Sequence, residues 1–143
     1  FTQIFEDYGV DMVYSGHSHA YERSYYLHGH RGDSDTFDAK LHAELDKDGQ
    51  PVTGRTGAPY YQISPATGVD DKVVYTVAGS AGKLEIGNST LNHPAHAVQP
   101  ADPEYRRGLE ELGSVHIEVT ENVLIARFLD VDGEVLDQVE MRR

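Results

Sequence analysis

From residue 113 to residue 141 the chain has little alternative to antiparallel sheet. Val115, Ile117 and Val119 alternate with polar neighbours, which puts the apolar side chains on one face of an extended segment. Residues 123–129 form a denser apolar run, and residues 135–141 a third. Glu121-Asn122 and Asp132-Gly133 separate the runs. Short polar pairs that tolerate positive φ join antiparallel neighbours. The spacing therefore predicts a three-stranded meander over 113–141. With 143 residues, 38% of them hydrophobic, the whole chain is long enough to fill one modest core.

The other end reads differently. Phe1, Ile4, Phe5 and Tyr8 fall at helical spacing, and Gly9 stands where a helix ends in a left-handed turn. Residues 10–15 are a short strand candidate that runs into Gly16-His17-Ser18-His19. A helix feeding a strand that ends in polar, ligand-type residues is the layout of an α/β site, because ligands gather beyond the carboxyl ends of such strands. Nothing caps the opening stripe, so the chain is expected to be a fragment cut inside a larger domain. Residues 24–72 read as irregular and turn-rich, with a hairpin around Asp48-Gly49 flanked by 41–45 and 51–53. Residues 73–78 are apolar enough for a central strand. They end in Gly79-Ser80-Ala81-Gly82, which lets backbone pass close to a neighbour or ligand. Residues 88–103 read as a second irregular stretch.

Composition narrows the function. The chain has no Cys, which excludes a disulfide scaffold, a Cys-ligated zinc or iron–sulfur site and a cysteine nucleophile. Twelve Lys and Arg against 24 Asp and Glu leave a net charge of −12. That balance disfavours nonspecific binding to nucleic acid or an anionic membrane, both of which need basic patches. No apolar run approaches the roughly 18–20 residues of a membrane-spanning helix.

The chemistry concentrates in Gly16-His17-Ser18-His19-Ala20-Tyr21-Glu22-Arg23. Imidazoles at i and i+2 just past a strand point the same way if the backbone stays extended. Neutral imidazole is a common ligand for Zn, Fe, Ni and Cu. A His-x-His pair alone is weak, since two loop histidines are usually solvated and a metal site wants three or four protein groups.

The surrounding residues add weight. The run 13–24 resembles the last metal-binding block of purple acid phosphatases and related calcineurin-like metallophosphoesterases, written Gly-His-x-His and often continued Ala-Tyr-Glu-Arg. Ala58-Pro59-Tyr60-Tyr61 and residues 74–82 resemble that branch's later core strand and glycine turn, and residues 113–137 its C-terminal meander. Residues 28–57 and 84–105 are unmatched in detail. The resemblance implies an α+β, β-rich fold, the C-terminal fragment of an αββα sandwich. Residues 1–112 would be the later part of the catalytic domain and 113–143 its terminal meander.

It also implies a phosphoric ester hydrolase with two metal ions, Fe with Zn or Mn, of which His17 would ligate one and His19 the other. Two such ions clamp a phosphate and lower the pKa of bound water. The implied partner is a small-molecule phosphate ester, with no nucleic-acid scaffold and no membrane. The resemblance leans towards an exported protein, secreted or periplasmic. A phosphodiesterase or nucleotidase on the same scaffold, or a non-catalytic β-rich binding module, are the rival readings. The family's earlier blocks, which carry the other ligands and a proton-donating His, have no counterpart here. The upstream half of the domain is therefore required, and the chain alone is expected to turn over little substrate.

Each ligating imidazole needs an acceptor for its other ring nitrogen, and a backbone carbonyl or Glu22 is expected to serve. Arg23 has two readings, a buried partner of a local carboxylate or an electrostatic aid to the site. His28 and His30 read as surface or rim residues, His93 and His96 as loop residues, and His116 as lying on the polar face of its strand. Residues 78–84 fail as a phosphate loop, with Val77 in place of its first Gly and Leu84 in place of its Ser/Thr. Residues 130–133 fit a hairpin turn rather than a calcium loop. Arg31-Gly32-Asp33 reads as chance, and Asn88-Ser89-Thr90 is a glycosylation sequon in form.

Overall fold

The structure is a computed structural model that describes residues 1–63, 68–85, 93–98 and 110–143. Helix α1 (Thr2–Asp7) leads into β1 (Met12–Ser15) and β2 (Tyr21–Leu27), and a short helix α2 (Ala39–His42) follows. Then come β3 (Tyr60–Tyr61), β4 (Val73–Ala78), β5 (Gly113–Val119), β6 (Val123–Asp130) and β7 (Val135–Arg142). The protein is β-rich with few helices, as its sequence predicts.

The strands form two mixed sheets. One has the order β1-β4-β2, with β4 parallel to β1 and antiparallel to β2. The other has the order β3-β7-β6-β5, in which only the short β3 runs parallel to its neighbour. The inner faces of the two sheets meet. Tyr26 and Val74 from the first sheet pack with Tyr60, Ala126, Val139 and Met141 from the second. Tyr21 stacks on Phe128 with ring centroids 4.2 Å apart, beside Ala20 and Val98. Residues on both sides of position 112 share both clusters.

The terminal meander is where the sequence places it, at the same three segments. Thr120 Oγ1 accepts the Val123 amide across the first turn. The second connection is longer than two residues: Asp130 Oδ1 accepts the amides of Asp132 and Glu134, and Gly133 sits at φ +84. The apolar face of β5 is covered only at its start. Val115 packs on both clusters, whereas Ile117 and Val119, farther along this edge strand, are exposed.

Two expectations need correction. Residues 24–27 are not irregular but continue β2, paired with β4 around a register shift between Arg23 and Tyr26. The hairpin at Asp48-Gly49 reduces to one antiparallel bridge, Leu45 with Pro51, and Leu41 lies in α2 instead of a strand. The stripe of α1 is largely uncovered: Phe1, Ile4 and Tyr8 are exposed, and Phe5 approaches Tyr75 at 6.4 Å between ring centres. Gly9 does take the left-handed conformation, at φ +62. Residues 88–92 and 99–103 of the second irregular stretch, the sequon included, lie outside the described residues.

Candidate functional site

Strand β1 ends at Ser15, and the next strand begins at Tyr21, so Gly16 to Ala20 form the link between the sheet's edge strand and its far strand. The link does not stay extended. His17 takes φ +84 and is the one non-glycine residue with positive φ among the described residues. A left-handed backbone crowds Cβ against the carbonyl and costs about 1–2 kcal/mol for a non-glycine residue. Such strain persists where surrounding structure enforces it, and it clusters at functional sites. The direction of the two imidazoles is thus set by a turn, not by strand alternation. His17 is exposed and His19 half-buried, both at the carboxyl end of the parallel pair β1 and β4.

Three backbone restraints hold this turn. The Gly79 amide donates to Ala20 O at 3.0 Å, and the Glu85 amide donates to His19 O at 3.0 Å. The third is steric, since a Cβ on Gly79 would stand 1.7 Å from Ser18 O. The glycine turn after β4 is thereby in direct contact with the imidazole turn, the close approach its sequence predicts. No bulkier residue fits there without moving one of the two turns.

Beyond Ala20, β2 sends alternate side chains to opposite faces. Tyr21 and Arg23 point inward. Arg23 is fully buried, donating from Nε to Asp137 Oδ2 at 2.6 Å, from one terminal nitrogen to Asp137 Oδ1 at 2.9 Å and from the other to Thr53 O at 2.8 Å. Tyr21 OH donates to the same Asp137 carboxylate at 2.8 Å. Burial alone would raise the Asp137 pKa, but the Arg23 guanidinium and the Tyr21 hydroxyl hold it below the usual carboxylate range. Arg23 is a buried ion-pair partner, as one reading has it, but its carboxylate is distant in sequence. The pair bolts one sheet to the other.

Glu22 points outward. Its Oε1 accepts from the Ser18 hydroxyl at 2.9 Å, and its Oε2 lies 3.4 Å from His96 Nε2. The hydrogen bond from His96 lowers the Glu22 pKa, burial opposes it, and Ser18 adds to the lowering. Glu22 is accordingly engaged with Ser18 and His96 in place of the two candidate ligands. His96 reaches it because residues 95–97 run along β2: Tyr25 donates to Ala95 O at 2.9 Å and Ala97 to Arg23 O at 2.8 Å. No spacing rule joins His96 to Glu22, so sequence reasoning leaves His96 as a loop residue.

His93 sits beside His96 with ring centres 5.6 Å apart, and its Nδ1 accepts the Ala95 amide at 3.1 Å. His30 forms an edge contact with Phe37 and another with His42, and the Nδ1 of His28 is 3.7 Å from Asp71. Arg31 forms a two-toothed pair with Glu6, tying α1 to the loop after β2. His116 is exposed on β5.

Among the described residues, no group of three or more His, Cys, Asp or Glu side chains is close enough to hold a metal ion. The donor chemistry of His17 and His19 fits a borderline metal as part of a ligand set, and two imidazoles fall short of the three or four protein groups usual for such ions. No family model matches the chain, and no curated protein does. Among solved structures, the chain is similar to a purple acid phosphatase isolated from yellow lupin (Lupinus luteus) seeds, with a TM-score of 0.63 at 16% sequence identity. The match covers 99% of this chain and 19% of that one, so the chain spans about a fifth of the length of that enzyme. Identity this low shows the fold: two facing mixed sheets, matching one segment of a purple acid phosphatase.

Proposed function

We propose that this chain is the later part of a metal-dependent phosphoric ester hydrolase, acid-phosphatase-like, with His17 and His19 among the ligands of a two-metal centre. The observation that carries the reading is the enforced left-handed turn, with an imidazole on either side of Ser18, at the carboxyl end of a parallel strand pair. Its fold likeness to a segment of a purple acid phosphatase supports the same assignment. When bound, a pair of metal ions supplies charge to hold phosphoryl oxygens and a hydroxide from coordinated water.

This chain's share of the work is positional. His17 and His19 would hold the ions from one short turn, and Gly79 and Glu85 fix that turn against the end of β4. Arg23 and Asp137 keep the sheets in register beneath it and stay away from solvent. The other ligands come from a segment that packs with this one as the earlier half of the same domain. Its substrate is a small phosphate monoester, and the product of attack is an alcohol and phosphate.

The test uses the protein that carries the complete domain. His17→Ala and His19→Ala are each expected to lower bound metal, read by elemental analysis, and to abolish hydrolysis of p-nitrophenyl phosphate. Both variants retaining metal and rate would overturn the proposal.

A further inference from the structure

We propose that Glu22 and His96 are positioning residues for the imidazole turn, acting through the Ser18 hydroxyl; this rests on the reading of His17 and His19 as metal ligands. Ser18 lies between the two histidines, and its hydroxyl donates to Glu22 Oε1 at 2.9 Å. The other carboxylate oxygen faces His96 Nε2 at 3.4 Å, so the Glu22 side chain is held at both ends. Each holder is itself fixed by backbone pairing. Glu22 lies on β2 opposite Val77 of β4, and His96 lies on the segment bridged to Ser24 on the outer edge of β2. The Ser18 hydroxyl is therefore referenced to two backbone ladders at once.

The turn needs such a reference. His17 sits at φ +84 without glycine's freedom, and the restraints from Gly79 and Glu85 act on carbonyl groups. A hydrogen bond to the Ser18 side chain sets how the turn is rolled about those carbonyls, and hence where both flanking rings point. Partners that orient ligands without touching the ion typically change metal affinity about 10–100-fold. Glu22 and His96 also line an open pocket of about 260 Å³ with Val13, Ser15, Tyr75 and His93. Solvent can enter it, so truncation at Glu22 leaves no dry, unpaired charge.

The experiment titrates Co²⁺ into the protein carrying the complete domain, by calorimetry and by the visible absorption band of the bound ion. Glu22→Ala and Ser18→Ala are each expected to weaken Co²⁺ binding about tenfold and to shift the band. The double variant should bind no more weakly than either single one, since both remove the same hydrogen bond. Glu22→Gln, whose amide oxygen still accepts from Ser18, should bind nearly as wild type, and His96→Ala should show a smaller loss. In turnover, kcat should fall with KM for p-nitrophenyl phosphate unchanged. Glu22→Ala and Ser18→Ala binding Co²⁺ as wild type, while His17→Ala does not bind it, would overturn the positioning role and leave the metal reading intact. His17→Ala and His19→Ala binding Co²⁺ as wild type would overturn the metal reading, and this proposal with it. Should Glu22→Ala fail to fold, Ser18→Ala decides alone, because it removes one hydroxyl from a half-buried turn.

Discussion

Glu22 and Arg23 are neighbours in sequence and face opposite ways on one strand, and the two faces of β2 are built to different standards. On the inner face, Arg23, Asp137, Tyr21 and the Thr53 carbonyl form a dry network in which every bond is 2.9 Å or shorter. On the outer face, Glu22 is half-buried and meets its partners at 2.9 and 3.4 Å beside an open pocket. A dry ion pair penalises any loss of one partner, because the survivor remains charged and desolvated. A pair at a pocket rim contributes at most about 1 kcal/mol to stability and is free to act on geometry instead. The inner face holds the sheets together, and the outer face adjusts the turn above them.

The largest expected effect follows from the inner face. Asp137→Ala should destabilise the fold by about 3–5 kcal/mol, since it leaves Arg23 buried without its carboxylate. Glu22→Ala should cost about 1 kcal/mol or less. Urea unfolding of both variants checks the contrast, and equal losses would erase the distinction between the faces. Acid acts on the same pair. The folded-state pKa of Asp137 lies below its unfolded value, so its contribution is in place above the ordinary carboxylate range and is lost as pH falls through the folded value. Asp11 and Asp70 have the opposite sign. Burial raises both, helped by Asp70 for Asp11, so their contributions are in place at low pH and lost as pH rises through the folded values. Melting temperature against pH should therefore fall less steeply in acid for Asp137→Asn than for the wild type, from a lower plateau.

The next effect joins the faces. Gly79→Ala would set a methyl group 1.7 Å from the Ser18 carbonyl, so one of the two turns must shift. Forced displacement of close-packed groups costs about 1–3 kcal/mol. If β4 yields, stability falls and metal affinity is kept; if the imidazole turn yields, Co²⁺ binding weakens along with stability. Calorimetry on the variant separates these, and no change in either quantity would show that the glycine turn does not restrain the histidines.

How much of this was readable beforehand divides along the same strand. The meander was legible because its apolar runs alternate over enough residues for local pattern to decide, and the Gly-His-Ser-His motif was legible by residue type. Strand β2 has no strand signature in the sequence, because a buried Arg on the inward position breaks the apolar alternation that marks a strand. Its partner Asp137 lies 114 residues away, beyond the reach of any spacing rule. Val115, Ile117 and Val119 share one face as their alternation predicts, but only Val115 is packed, since periodicity states which face is apolar and not how much of it is covered. The left-handed His17 carries only a weak local signal. Histidine takes positive φ more often than most non-glycine residues but far less readily than glycine, so the turn is visible only in the fold.

That weak signal makes His17 the finest probe of the comparison. If tertiary restraint at the imidazole turn enforces the positive φ, glycine at this position relieves about 1–2 kcal/mol of backbone strain. It also adds freedom to the unfolded chain, which offsets about 0.5–1 kcal/mol. His17→Gly should then be as stable as the wild type or more so by up to about 1 kcal/mol, while Co²⁺ affinity falls. His17→Val should be clearly less stable, because a β-branched residue is poorly accommodated in this region. Chemical denaturation of the two variants makes the comparison directly. A His17→Gly variant that lost as much stability as His17→Val would mean that the imidazole itself packs into the fold. The turn would then belong with the inner face of β2, as structure, and not with the outer one.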